Sequence, residues 1–142
     1  GNELYVASYQ GRVAGLEMRA GRKLWQQNVS AISGGSVGFG NVYVADEDGT
    51  ISAFLRNGQG IRWQNIELGY RNLSRPTPVS SYVAVTDLEG YLHLLSQVDG
   101  KIVGRTRTDG AGARADMIVR GNTLYVYGNS GDLMAYDVEP KD

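Results

Sequence analysis

Apolar residues in this chain fall in short runs on consecutive positions, each closed by a turn-forming residue. Four of these runs are Leu4-Tyr5-Val6-Ala7, Val42-Tyr43-Val44-Ala45, Val83-Ala84-Val85-Thr86 and Leu124-Tyr125-Val126-Tyr127. Apolar spacing at i, i+3, i+4 and i+7 is not sustained anywhere, so the pattern predicts strands and almost no helix. Strands that are apolar on successive residues belong to sheets covered on both faces. Seven residues after each run begins stands a glycine: Gly11, Gly49, Gly90 and Gly131, which are 38, 41 and 41 residues apart. A period near 40 is that of a propeller or a repeat array.

A second strand keeps the same register, with Val13, Ile51, Leu92 or Leu133 two residues after the glycine and Leu16, Phe54, Leu95 or Tyr136 five after it. The turns Gln10-Gly11, Asp48-Gly49, Glu89-Gly90 and Ser130-Gly131 supply the positive φ of a tight hairpin. About ten residues on come Ala20-Gly21, Gly58-Gln59-Gly60 and Asp99-Gly100, and a leading strand is expected at residues 36–39, 77–80 and 116–119. Four antiparallel strands per repeat make a propeller blade. The expected strand count is three, four, four and three, in units of approximately 1–30, 31–68, 69–109 and 110–142. The fold class is therefore all-β, a partial β-propeller of about four consecutive blades.

Twenty glycines dispersed between these runs, with three prolines, fit many tight turns. Lys and Arg total 14 against 15 for Asp and Glu, so no basic stripe is available for nucleic acid. The absence of cysteine removes disulfides, thiolate zinc sites and cysteine nucleophiles, but does not fix the redox compartment. No apolar run approaches the ~20 residues of a membrane-spanning helix. The opening Gly-Asn-Glu-Leu-Tyr-Val has neither the basic nor the apolar region of a signal peptide. The chain is expected to be soluble.

The stretch from Leu4 to Trp25 resembles the quinoprotein-type propeller repeat, and the resemblance spans all four units. Within that superfamily it is similar to the C-terminal half of the BamB family. The similarity is carried by residues 14–25, by Leu73-Ser74-Arg75-Pro76-Thr77-Pro78-Val79 and by Asp87-Leu88-Glu89-Gly90-Tyr91-Leu92-His93. The resemblance implies an eight-bladed ring without catalysis that binds the periplasmic domains of the barrel subunit BamA. It also implies a place at the periplasmic face of the outer membrane, held by a lipid anchor absent from this chain. The family's docking loops lie upstream of the matched region, so none of their residues is carried over.

Several residues could bear chemistry, and each has a simpler reading. His93, the single histidine, aligns with Ala14, Ser52 and Met134 and reads as a packed strand position without a legible acid–base partner. Asp46-Glu47-Asp48-Gly49 has the look of a calcium-loop fragment but lacks the later ligands, and a hairpin turn explains it. Trp25 and Trp63 share one repeat offset, as a packing residue between blades would. Tyr70, Arg71 and Arg75, in the longest connection, between units two and three, are the candidates for partner docking. No catalytic, cofactor-binding or metal-binding residue is expected.

The leading reading is a non-catalytic scaffold that takes part in outer-membrane protein assembly. The alternatives are a fragment of a quinone-dependent dehydrogenase, whose calcium, acidic and cysteine features have no counterpart here, and a sensor or ligand-binding propeller domain. As a separate molecule, the chain is expected to self-associate, most simply as a closed dimer. Its end faces would be Leu4, Val6, Val13 and Leu16 on one side and Leu124, Val126, Leu133 and Tyr136 on the other.

Overall fold

The computed structural model describes residues 3–8, 12–17, 23–28, 32–57 and 60–139, with side chains from residue 35 onward. They form fourteen strands and, among the described residues, no helix. The first sheet holds β1 (Glu3–Ser8), β2 (Arg12–Glu17) and β3 (Lys23–Asn28), and the second β4 (Ile32–Gly38), β5 (Asn41–Asp46), β6 (Ile51–Leu55) and β7 (Ile61–Asn65). The third holds β8 (Thr77–Val79), β9 (Tyr82–Thr86), β10 (Tyr91–Ser96) and β11 (Ile102–Arg107), and the fourth β12 (Ile118–Arg120), β13 (Thr123–Tyr127) and β14 (Leu133–Asp137). Every pairing is antiparallel and joins neighbours in sequence, so each sheet is a meander and the strands count three, four, four, three.

All six residues of β5 are buried, as its unbroken apolar run requires. The two faces of a blade nonetheless serve different neighbours. Tyr43, Ala45, Ile51, Ala53 and Trp63 of the second sheet pack on Val83, Val85 and Leu95 of the third. The opposite face of the third sheet, Ala84 and Leu92, packs on Leu124 and Val126 of the fourth. Alternation along the strand thus sends odd-numbered positions of β5 forward, and their equivalents in β9 are the even-numbered ones, because the units differ by 41 residues. The β6–β7 and β10–β11 pairs each shift register at the same slot, Ala53/Phe54 and Leu94/Leu95, and β2–β3 does so at Gly15/Leu16. The sequence pattern does not announce this recurring bulge.

Trp63 fastens one blade to the next. Its indole N–H donates to the Gln97 carbonyl at 3.0 Å and its ring lies 5.8 Å from that of Tyr43. Two residues on, the Asn65 amide donates to the Gly100 carbonyl at 2.7 Å. Gly100 has φ +75 and lies where any Cβ would enter the indole. The packing reading of Trp63 therefore stands, while the Trp25 side chain lies outside the described residues.

The end face differs from the expectation. Leu124 and Val126 are buried against the third sheet, and the half-buried Tyr136 packs with them. The open face carries Leu133, 67% exposed, together with Ile118 and Tyr127. The expected set mixed the two sides of the sheet, which alternation separates. Leu4, Val6, Val13 and Leu16 lie where side chains are not described.

Candidate partner-docking surface

The turns β5–β6 and β9–β10 emerge at one end of their sheets, and each is built on an aspartate. The Asp46 carboxylate accepts the N–H groups of Asp48 and Thr50 at 3.0 and 3.1 Å, and that of Asp87 accepts those of Glu89 and Tyr91, both at 3.0 Å. Asp46 therefore works in its own hairpin, which is the structural reading of Asp46-Glu47-Asp48-Gly49.

His93 corrects the sequence reading in one respect, since it does have an acidic partner. Fully buried, it meets the Asp87 carboxylate through Nε2 at 2.7 Å, and Arg105 Nε donates to its Nδ1 at 3.1 Å. An accepting Nδ1 puts the ring proton on Nε2, aimed at Asp87. Burial lowers the pKa of His93, and Arg105 and Arg71 act in the same direction, against the raising influence of Asp87. For Asp87, burial alone would raise the pKa, but the bonds from His93, the Tyr91 N–H and Arg71 together hold it below the usual carboxylate range. The group is a neutral imidazole beside a charged, fully bonded carboxylate. In the preceding blade Gln64 donates to Ser52 at 3.0 Å in the slots of Arg105 and His93, so the bond from Arg105 to His93, like that one, ties the third strand of its blade to the fourth.

Residues 66–76 link β7 to β8 and cross this turn end. Leu68 and Leu73 are buried anchors, while Ile66 and Tyr70 are 75% and 83% exposed. The Tyr70 N–H donates to the Asp48 carbonyl at 3.2 Å, and the Leu88 N–H to the Arg71 carbonyl at 3.1 Å, pinning the segment to both turns. Tyr70 and Asn72 hold left-handed backbone, with φ 60 and 56. Beside the segment lies a groove of about 320 Å³ lined by Asp46, Glu47, Asn72, Leu73 and Arg114.

The three docking candidates have different situations. Arg71 Nη1 lies 3.2 Å from Asp87 and 2.5 Å from Glu89, so its charge is engaged within the blade. Arg75 reaches Asp116 at 3.3 Å and donates to the Gly35 carbonyl at 3.1 Å, bridging blades two and four through the third. Tyr70 projects furthest into solvent, while Arg75 is half exposed and Arg71 mostly covered. Sequence reasoning missed Ile66 and the groove, because nothing in the run from Ile66 to Leu73 marks which apolar residues are anchors.

Sheets of this form and connectivity, docked by a tryptophan at one repeat offset, define consecutive blades of a quinoprotein-type β-propeller. The family model described as outer membrane protein assembly factor BamB matches residues 1–65. The chain is 49% identical over 97% of its length to the outer membrane protein assembly factor BamB of Pseudomonas aeruginosa, of which it covers 36%. Against that of Marinobacter adhaerens it is 36% identical over 96% of the chain and 35% of the relative. The crystal structure of BamB from Moraxella catarrhalis superposes with a TM-score of 0.85 at 31% identity, over 96% of this chain and 40% of that one. A computationally designed protein, Ika4, superposes with a TM-score of 0.86 at 11% identity, over 98% of this chain and 87% of that one, a likeness of fold alone. The chain is thus similar along nearly its whole length to members of the BamB family and spans about a third of the length of these curated relatives.

Proposed function

We propose that the longer protein represented by this chain is a non-catalytic scaffold of the outer-membrane β-barrel assembly machinery. It works at the periplasmic face of the outer membrane and binds the periplasmic domains of BamA. Similarity along nearly the whole chain to proteins named as assembly factors carries this reading. The chemistry of the blades supports it, because Asp46, Asp87 and His93 are engaged in hydrogen bonds within their own blades. Tyr70, Arg71 and Arg75 lie in a segment held across two blade turns, the kind of rigid loop on which binding residues are presented. A pull-down of the complete protein with immobilised BamA periplasmic domains tests the reading, with stoichiometric retention expected and no retention counting against it.

As a separate molecule, the chain self-associates through its open sheet face, where Leu133, Ile118 and Tyr127 are exposed. In a ring of eight blades, two such chains related by a two-fold axis would each supply four. Light scattering during gel filtration decides this, and a stable 15.4 kDa monomer would rule it out.

A further inference from the structure

The turn end of blades two and three combines three features that the fold itself does not use. Ile66 and Tyr70 stand four residues apart in one tight turn, both largely exposed, while Leu68 between them is buried. Tyr70 does so with left-handed backbone, which a bulky residue rarely adopts and from which its side chain gains no packing. The groove alongside has Asp46, Glu47 and Arg114 in its wall, so the free negative charge lies at its rim, on Glu47, Asp48 and Glu67.

The charge around these residues is one-sided. Four exposed carboxylates, Glu47, Asp48, Glu67 and Glu89, stand against the guanidinium groups of Arg71 and Arg114, while Asp46 and Asp87 are buried and hydrogen-bonded within their own turns. Arg71 is already held between Asp87 and Glu89. Among the described residues, no cation lies within ion-pair distance of Glu47, Asp48 or Glu67. An aromatic and an aliphatic side chain with a local negative potential complement a surface of opposite sign that also offers apolar contact.

We propose that Ile66, Tyr70 and the exposed carboxylates of Glu47, Asp48 and Glu67 dock a basic segment of a partner protein, one presenting Lys or Arg beside an apolar side chain. Tyr70 and Ile66 supply the apolar contact, and Glu47, Asp48 and Glu67 meet the cationic side chain. Arg71 and Arg75 hold the loop in place through their ion pairs. The inference rests on the scaffold reading above and assigns to that scaffold a surface and a partner chemistry.

The test places a benzoylphenylalanine photo-crosslinker at position 70 of the full-length protein and adds purified outer-membrane barrel-assembly complex that lacks it. An adduct is expected from position 70 and not from Val98, an exposed residue in the turn between β10 and β11 at the opposite end of the blade. The captured peptide should carry excess Lys and Arg, and the triple charge reversal E47K/D48K/E67K should lower the adduct yield about tenfold. Thermal melting of the same variants checks that they fold. A retained, folded protein that gives no adduct from position 70, or an adduct indifferent to charge reversal, overturns the inference and leaves the scaffold reading standing. Failure of the complex to retain the unlabelled protein overturns the scaffold reading, and this inference falls with it.

Discussion

Replacing Trp63 by alanine removes the side chain that joins the second blade to the third, and its cost can be worked from the contacts. The residue is 7% exposed, and an indole in such a place buries ~150–250 Å². At ~25 cal/mol per Å² that area is worth about 4–6 kcal/mol, an upper value because the unfolded chain already buries part of it. Loss of the bond from the indole N–H to the Gln97 carbonyl contributes about 1 kcal/mol more. Since large aromatic truncations in cores cost ~3–5 kcal/mol, about 4 kcal/mol is expected for Trp63→Ala. Trp63→Phe keeps the contact with Tyr43 but forfeits the hydrogen bond and part of the area, and should cost about half as much. Urea unfolding of the intact protein followed by far-ultraviolet circular dichroism measures both. A loss below about 1 kcal/mol for Trp63→Ala would refute the inter-blade role, and so would a phenylalanine variant as damaged as the alanine one.

Gly100→Ala should reproduce much of this damage from the other side, at about 2–4 kcal/mol, because the new methyl enters the indole at a left-handed backbone position; the same urea titration reads it. Acidification should weaken the fold in two stages. With its folded pKa lowered, His93 contributes stability that is full above its unfolded value of ~6.5 and is lost as pH falls through the folded value. Asp87, also lowered, loses its contribution at still lower pH, as the carboxylate protonates. A His93→Gln variant should flatten the first stage of a melting-temperature profile between pH 7 and 5, and an unchanged profile would count against the assignment. Asp87→Ala should cost about 3–5 kcal/mol, since it strands a buried ring N–H and removes the acceptor of the Glu89 and Tyr91 N–H groups that close the turn. Tyr70→Gly should leave stability within about 1 kcal/mol of the parent, because relief of left-handed strain offsets the lost side chain.

Much of the architecture is legible in the chain because it is a repeat. A glycine at a fixed offset from each apolar run marks a turn that only positive φ closes, and the strands on either side of it inherit their places. The recurrence of Trp63 at the offset of Trp25 likewise marks a packing position without reference to any neighbour. Other matters depend on residues far apart in sequence and had to await the tertiary structure. Asp87 and His93 are six residues apart, yet only burial and the approach of Arg71 and Arg105 make them a pair with a fixed tautomer. Leu124 and Leu133 are equally apolar, but the blade on one side of the fourth sheet buries the first and leaves the second open. Within residues 66–73 the chain alternates anchors and exposed side chains, a distinction created by the two turns the segment crosses. Local sequence fixes where a chain can turn and which residues are apolar, since those are properties of single residues and short spacings. Which apolar residue finds a partner, and which acid is left without a cation, is decided by the neighbours that folding brings alongside.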